Sequence, residues 1–291
     1  MKLNVTKKDT LVVIITGIVL LALALLGRWI RHVEVPIILV AISTCLVVFI
    51  LLEIHRRNIK FLKKIYENLH NDYKQIEALM FSIPLLEIKH PLPPMGDWAI
   101  SPDMANILIS LILEEKPKFT LDCGSGVSTL LIAYCLKKLK HGTVLSVEQD
   151  EKYFDSTRHN IKLHSLEEIA SVICAPLKEI YIRDKSWMWY DTAFLRDIKS
   201  INLLVVDGPI IPDPYGKTQK MKEMARYPGL PILLEKLSDN CIIVVDDAKR
   251  EDERKVIETW VKEFSIFECE RYNTEKGTVI LRRKSKNGNN I

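Results

Sequence analysis

Leu121-Asp-Cys-Gly-Ser-Gly-Val-Ser-Thr129 is the stretch on which the fold turns. The run Phe119-Thr-Leu-Asp-Cys123 passes directly into Gly124-Ser-Gly126 and then into a helical pattern over 127–140, which reads as a strand, a tight turn and a helix start. Gly124 and Gly126 let the backbone come close to a ligand, and the helix offers unpaired N–H groups and a positive dipole end to an anionic group. The next strand-like run, Thr143-Val-Leu-Ser-Val-Glu148, ends in a carboxylate 22 residues after Gly126. A carboxylate there can accept both hydroxyls of a ribose, so the two features together point to a nucleoside ligand.

Further runs, Ala170–Cys174, Ile201–Asp207 and Cys241–Asp246, read as buried parallel strands. Helical patterns near 127–140, 151–163, 217–237 and 251–264 separate most of them, the signature of a doubly wound α/β fold. Phe267–Tyr272, a turn through Asn273–Gly277 and Thr278–Leu281 read as a closing antiparallel hairpin. The expectation is a mostly parallel seven-stranded sheet with its last strand reversed. Ligands of such sheets bind at the carboxyl ends of the strands, so the chemistry should lie just beyond each one.

A dinucleotide site wants a third glycine where this chain has Thr129, and Asp122 ahead of the first glycine would repel a pyrophosphate. An amino-acid ammonium would favour that carboxylate. S-adenosylmethionine carries such an ammonium, a carboxylate for Ser128 and the nearby N–H groups, and a ribose for Glu148.

Leu92-Pro-Pro-Met-Gly-Asp-Trp-Ala-Ile-Ser-Pro-Asp103, Leu121–Thr129, Val205-Val-Asp-Gly-Pro209, Ala225-Arg-Tyr-Pro228 and Val244-Val-Asp-Asp-Ala248 together resemble class I S-adenosylmethionine-dependent methyltransferases. More narrowly, they resemble the prokaryotic group related to the catechol and caffeoyl-CoA O-methyltransferases, over residues 90–283. The resemblance implies donor contacts at Asp122, Gly124, Ser125, Gly126, Ser128 and Glu148, with the Cys174-Ala175-Pro176-Leu177 turn, Ala175 included, beside the adenine. Two departures stand out: Asp122 replaces the commoner Glu, and Ser238-Asp239-Asn240 before the last parallel strand lacks the usual glycines.

On the acceptor side Asp207, Asp246 and Asp247 fall at two strand ends, matching positions where the catechol-type enzymes bind a divalent metal. Oxygen ligands suit Mg²⁺, which would lower the pKa of an acceptor hydroxyl. The alternatives are Asp207 as a general base without metal, with Asp247 beside it, or carboxylates that only cap a helix and form a turn. All seven histidines lie outside 201–250, which weakens a catalytic-histidine mechanism. Ser101-Pro102-Asp103 reads as a helix start, with Trp98 as a roof for the donor pocket. Trp187, Trp189 and Tyr190 are expected in a loop, as an apolar plug or an acceptor wall. Arg226-Tyr227 would hold an anionic or sugar-like acceptor, or make a helix-end salt bridge.

The amino-terminal part differs in kind. Residues 10–27 carry no charge, and Val35–Leu52 repeats that length of apolar chain, so 1–53 reads as a two-span transmembrane hairpin. Lys2, Lys7 and Lys8 before it, and Arg56, Arg57, Lys60, Lys63 and Lys64 after it, would put both termini and the catalytic domain in the cytoplasm. The competing reading is a cleaved signal peptide. Residues 54–90 read as a juxtamembrane amphipathic helix and linker, with Leu62, Ile65, Leu69, Ile76 and Leu79 on one face. That face would either pair two copies through 54–80 or pack on the domain that follows. Residues 91–283 form the methyltransferase domain and 284–291 a disordered tail.

A net charge of +4, spread evenly, gives no basic face for nucleic acid. Six scattered cysteines without a Cys-x-x-Cys pair read as core thiols. The expected activity is O-methylation of a hydroxyl on a small-molecule, glycan or lipid-linked acceptor. Two other classes compete with it. One is an inactive, membrane-tethered nucleoside-binding module; the other is an NAD-linked oxidoreductase, for which the third glycine and a Tyr-x-x-x-Lys pair are missing.

Overall fold

The computed structural model describes residues 35–211 and 224–284, together with Ile15, Ile18, Val19, Ala22 and Leu26. The chain divides into two compact units, Met1–His70 and Asn71–Ile291.

In the first unit the described chain is almost entirely helix α1, which extends over Val35–Ser82. Among the described residues no helix is long and apolar enough to cross a membrane, and this overturns the multi-pass placement with cytoplasmic termini. The second apolar run does not end as a span. It continues without a break into a charged helix, where Glu53 pairs with Arg56 and Arg57, and Lys63 with Glu67. Residues 10–27 lie outside the described residues apart from the five positions named, as does the tail beyond Lys284.

In the second unit the last turns of α1 use their small, polar face. Ala78 and Ser82 are buried, Ser82 Oγ donates to Asn106 Oδ1 at 2.5 Å, and Gln75 Oε1 accepts from the Asp103 amide at 3.1 Å. Ile76 of this unit is exposed, as are Leu62, Ile65 and Leu69 of the first.

Nine strands follow among the described residues: β1 (Phe119–Cys123), β2 (Thr143–Glu148), β3 (Ala170–Cys174), β4 (Leu177–Ile182), β5 (Lys185–Tyr190), β6 (Ile201–Val206), β7 (Leu237–Val245), β8 (Phe267–Tyr272) and β9 (Thr278–Arg283). Seven form one sheet in the order β3-β2-β1-β6-β7-β9-β8, parallel except for β9, which runs against both its neighbours. The strand order reverses between β1 and β6, so the crevice for a ligand opens beyond Cys123 and Val206. Helices α2 (Pro102–Glu115), α3 (Val127–Leu139), α4 (Glu151–Leu163), α5 (Gly229–Leu233) and α6 (Glu251–Glu263) lie in the same unit. One sheet face, with Val144, Leu203, Val205, Ile242 and Val244, packs on α2 and α3; the other, with Leu121, Val147, Leu204, Ile243 and Val245, packs on Trp189, Trp260 and Phe267. Alternation along each strand divides these residues between the faces.

Three expectations need correction here. Trp187, Trp189 and Tyr190 lie in a strand, not a loop: β4 and β5 pair as a separate antiparallel hairpin from Leu177↔Tyr190 to Ile182↔Lys185. Ser238-Asp239-Asn240 is part of β7 and not the turn before it. Of the helix expected near 217–237, the described part is helical over Gly229–Leu233 and a 3-10 turn over Leu234–Lys236, with Pro228 and Pro231 removing backbone donors; residues 212–223 lie outside the described residues.

Candidate active site

The strand ends β1, β2, β6 and β7 bring four sets of groups together. Asp122, the fourth residue of β1, is fully buried, and its Oδ2 accepts from Ser128 Oγ at 2.9 Å and Thr129 Oγ1 at 2.8 Å. Thr129, where a dinucleotide site would have glycine, therefore serves to hold Asp122, and its Oγ1 also accepts from the Gly126 amide. Ser128, expected to reach the donor, is turned inward to the same carboxylate. Asp122 Oδ1 is buried with no partner.

Burial pushes the Asp122 carboxyl up to about 7 against the two hydroxyls, with Asp207 and Glu148 adding to the rise. Between the usual carboxylate pKa of about 4 and about 7, the folded chain keeps a proton here that the unfolded chain has lost, so this group's stabilisation is full below pH 4 and fades as pH rises through 7. Asp246, raised in the same direction, adds to the slope. Urea unfolding at pH 5 and 7.5 should give a flatter pH dependence in Asp122→Asn than in the wild type; equal slopes would show that Asp122 is ionised in the fold at both pH values.

Glu148 ends β2 and is saturated by its own chain. Oε2 accepts from the Ser125 amide and hydroxyl, both at 3.0 Å, and Oε1 from the amides of Gln149 at 2.9 Å and Asp150 at 3.1 Å. Of these four donors only Ser125 Oγ can rotate away, and Thr157 Oγ1 at 2.9 Å is an alternative partner for it. Ala175 is buried beside this carboxylate, its amide donating to the Glu148 carbonyl at 2.7 Å.

The two glycines are required for different reasons. Gly124, at φ +110°, lies so close to the Asp207–Gly208 backbone that an added Cβ would stand 3.0 Å from the Gly208 nitrogen. At Gly126, with φ +147°, nothing lies within 4 Å of an added Cβ. The turn is thus tight underneath and open above, which leaves room for a ligand.

At the ends of β6 and β7 Arg226 is the centre. It is 2% exposed; Nη1 donates to the Asp246 carbonyl at 2.9 Å, and Nη2 to Asp247 Oδ2 at 2.7 Å and Asp207 Oδ1 at 3.2 Å. Nε lies 3.6 Å from Glu253, and Arg250 reaches Asp247 from the other side at 3.0 Å. Asp247 is held in the left-handed region at φ +61°, a strained setting for a non-glycine residue. Asp246 is fully buried with neither carboxylate oxygen partnered, and burial together with Asp207 and Asp247 pushes its pKa up to about 8.

The Asp207 and Asp247 carboxylates meet on the Arg226 guanidinium. A guanidinium fills the space between Asp207 and Asp247, and among the described residues no group of three His, Cys, Asp or Glu is arranged to hold a metal ion. Arg226 takes the salt-bridge reading rather than the acceptor-binding one. Tyr227 beside it packs its ring on Trp187 at 4.5 Å and donates to Glu263 at 2.9 Å. Trp98 is exposed.

Tyr190 is a site residue whose position the sequence did not reveal. It is fully buried at the end of β5, its hydroxyl has no partner, and any Cβ on Gly208 would collide with that oxygen.

No family model and no curated protein matches this chain. Solved structures are similar to it. A methyltransferase of Podospora anserina with S-adenosylhomocysteine bound is 15% identical, over 72% of this chain and 88% of that one, with TM-score 0.49. An O-methyltransferase of Bacillus cereus in complex with S-adenosylhomocysteine is also 15% identical, over 72% and 90%, with TM-score 0.46. An O-methyltransferase of Streptomyces achromogenes involved in tomaymycin synthesis, in complex with S-adenosylmethionine, is 11% identical, over 66% and 84%, with TM-score 0.47. These are similarities of backbone course; the fold assignment rests on the strand order.

Proposed function

We propose that the chain is an S-adenosylmethionine-dependent methyltransferase that methylates a hydroxyl of a small-molecule, glycan or lipid-linked acceptor. The observation that carries this reading is the strand-end geometry: an open Gly126 turn flanked by Glu148 and by a buried, unpartnered oxygen of Asp122. These residues suit the donor. Asp122 Oδ1 would accept from its ammonium, and Glu148 would take a ribose hydroxyl in place of the Ser125 hydroxyl. Bound there, S-adenosylmethionine supplies a methyl group on a positively charged sulfur, open to in-line displacement.

The protein's part is alignment and proton removal. Asp207, next to Gly124 across the crevice, would accept the acceptor's hydroxyl proton as the oxygen–carbon bond forms and the carbon–sulfur bond breaks. Burial raises its pKa against the pull of Arg226, toward the range in which a carboxylate is an effective base.

Calorimetry on the full chain tests the donor half. S-adenosylmethionine or S-adenosylhomocysteine should bind and NAD should not, and Glu148→Ala should weaken binding by about 1.5–3 kcal/mol, the range for a hydrogen bond to a charged group. Tight NAD binding with none for the methyl donor would overturn the reading. Pairing of two copies through residues 54–80 belongs to the same proposal; sedimentation of the full chain as a monomer would remove it.

A further inference from the structure

The geometry points to Arg226 as a built-in cation that gathers Asp207 and Asp247 in the way a divalent metal would, so that the acceptor site works without one. This rests on the methyltransferase reading only in calling the site the acceptor side.

Three observations carry it. First, the guanidinium lies between the carboxylates: one nitrogen, Nη2, meets Asp247 at 2.7 Å and Asp207 at 3.2 Å, and Nη1 ties the Asp246 carbonyl at 2.9 Å. A second cation placed between the same two oxygens would meet this fixed positive charge at contact distance. Second, Arg226 is enclosed, with Glu253 at 3.6 Å from Nε and a side chain only 2% exposed. It cannot swing out to admit an ion without leaving Asp207 and Glu253 without their cation. Third, Arg250 meets Asp247 from outside at 3.0 Å, so the carboxylate nearest the guanidinium already has two cations.

The substitution changes what the site can offer. A divalent ion keeps open positions for a substrate oxygen, whereas the Arg226 donors are turned to the chain's own oxygens. Arg226 is thus a positioning residue. It fixes Asp207 at the mouth of the crevice and holds Asp247 in its left-handed backbone setting. Orientation of the acceptor hydroxyl falls to the carboxylate side chains and the pocket wall.

Two measurements on the full chain test this. In the first, the wild type is titrated with Mn²⁺, followed by electron paramagnetic resonance, with and without S-adenosylhomocysteine. No saturable binding is expected through the millimolar range; a saturable site that Asp207→Asn abolishes would overturn the inference. In the second, Arg226→Ala is heated in the presence of guanidinium ion or of Mg²⁺. Guanidinium at millimolar concentration is expected to raise its melting temperature toward the wild type, and Mg²⁺ to do so only in this variant; no rescue by either cation would overturn the inference. Should Arg226→Ala fail to fold, the Mn²⁺ titration of the wild type decides alone. Donor affinity measured on the same samples separates failure of this inference from failure of the methyltransferase reading, since the donor contacts lie at β1 and β2.

Discussion

Asp207→Asn should slow methyl transfer by about 100- to 10,000-fold, the usual contribution of a positioned general base, while the donor remains bound. The amide has nearly the shape of the carboxylate and can still accept from Arg226 Nη2, 3.2 Å away in the wild type, so the fold has little reason to change. What it loses is the capacity to take a proton. Single-turnover measurements with labelled donor, alongside calorimetric donor affinity, separate the two effects. A chelator added to the wild type should leave the rate unchanged. If Asp207→Asn turns over normally, the carboxylate is structural and the acceptor does not need activation at this point.

Arg226→Met should destabilise the second unit by about 3–5 kcal/mol, the cost of removing one partner from a buried ion cluster. The melting temperature should fall by roughly 10 °C for a unit of this size. The charge arithmetic explains the scale: Asp207, Asp247 and Glu253 all face this one guanidinium, and burial already raises the carboxyl of Asp207. The loss should be larger at pH 8 than at pH 5, because carboxylates without their cation can escape the cost at low pH by taking up protons. Arg226→Lys keeps the charge without the planar fork and should recover only part of the stability. A melting temperature unchanged in Arg226→Met would mean that the cluster is neutral in the native state.

Most of the sheet could be read in the sequence because its strands are short β-branched runs that end at Asp or Gly: Cys123 before Gly124, Val206 before Asp207, Val245 before Asp246. The β4–β5 hairpin could not. Its strands, Leu177–Ile182 and Lys185–Tyr190, hold only Ile180 and Ile182 as β-branched residues, and the two residues joining them are Arg183 and Asp184, with Arg183 taking the positive φ that glycine or asparagine would normally announce. Without that punctuation, Trp187, Trp189 and Tyr190 looked like a loop. Asp122, Glu148 and the three acceptor-side aspartates could be found because strand ends are fixed positions in this fold. Their partners could not: Arg226 reaches Asp207 and Asp247 over 19 and 21 residues, and no local spacing encodes that meeting. The amino-terminal runs misled for the opposite reason. Their apolar length was plain, but the run of charges following Leu52 does not end the helix, so the one helix Val35–Ser82 was divided into two elements.

The turns after β1 and β6 are bolted to each other. The carbonyl of Cys123 accepts from the amides of both Asp207 and Gly208, at 2.9 and 2.6 Å, Gly124 lies against the Gly208 backbone, and the Tyr190 hydroxyl closes the far side of Gly208. Neither turn can shift alone. A molecule that tightens the first turn therefore also sets the second, and the two halves of the reaction share one hinge point. For the proposed donor and acceptor, the binding of either should then alter the grip on the other, and by the same factor whichever arrives first.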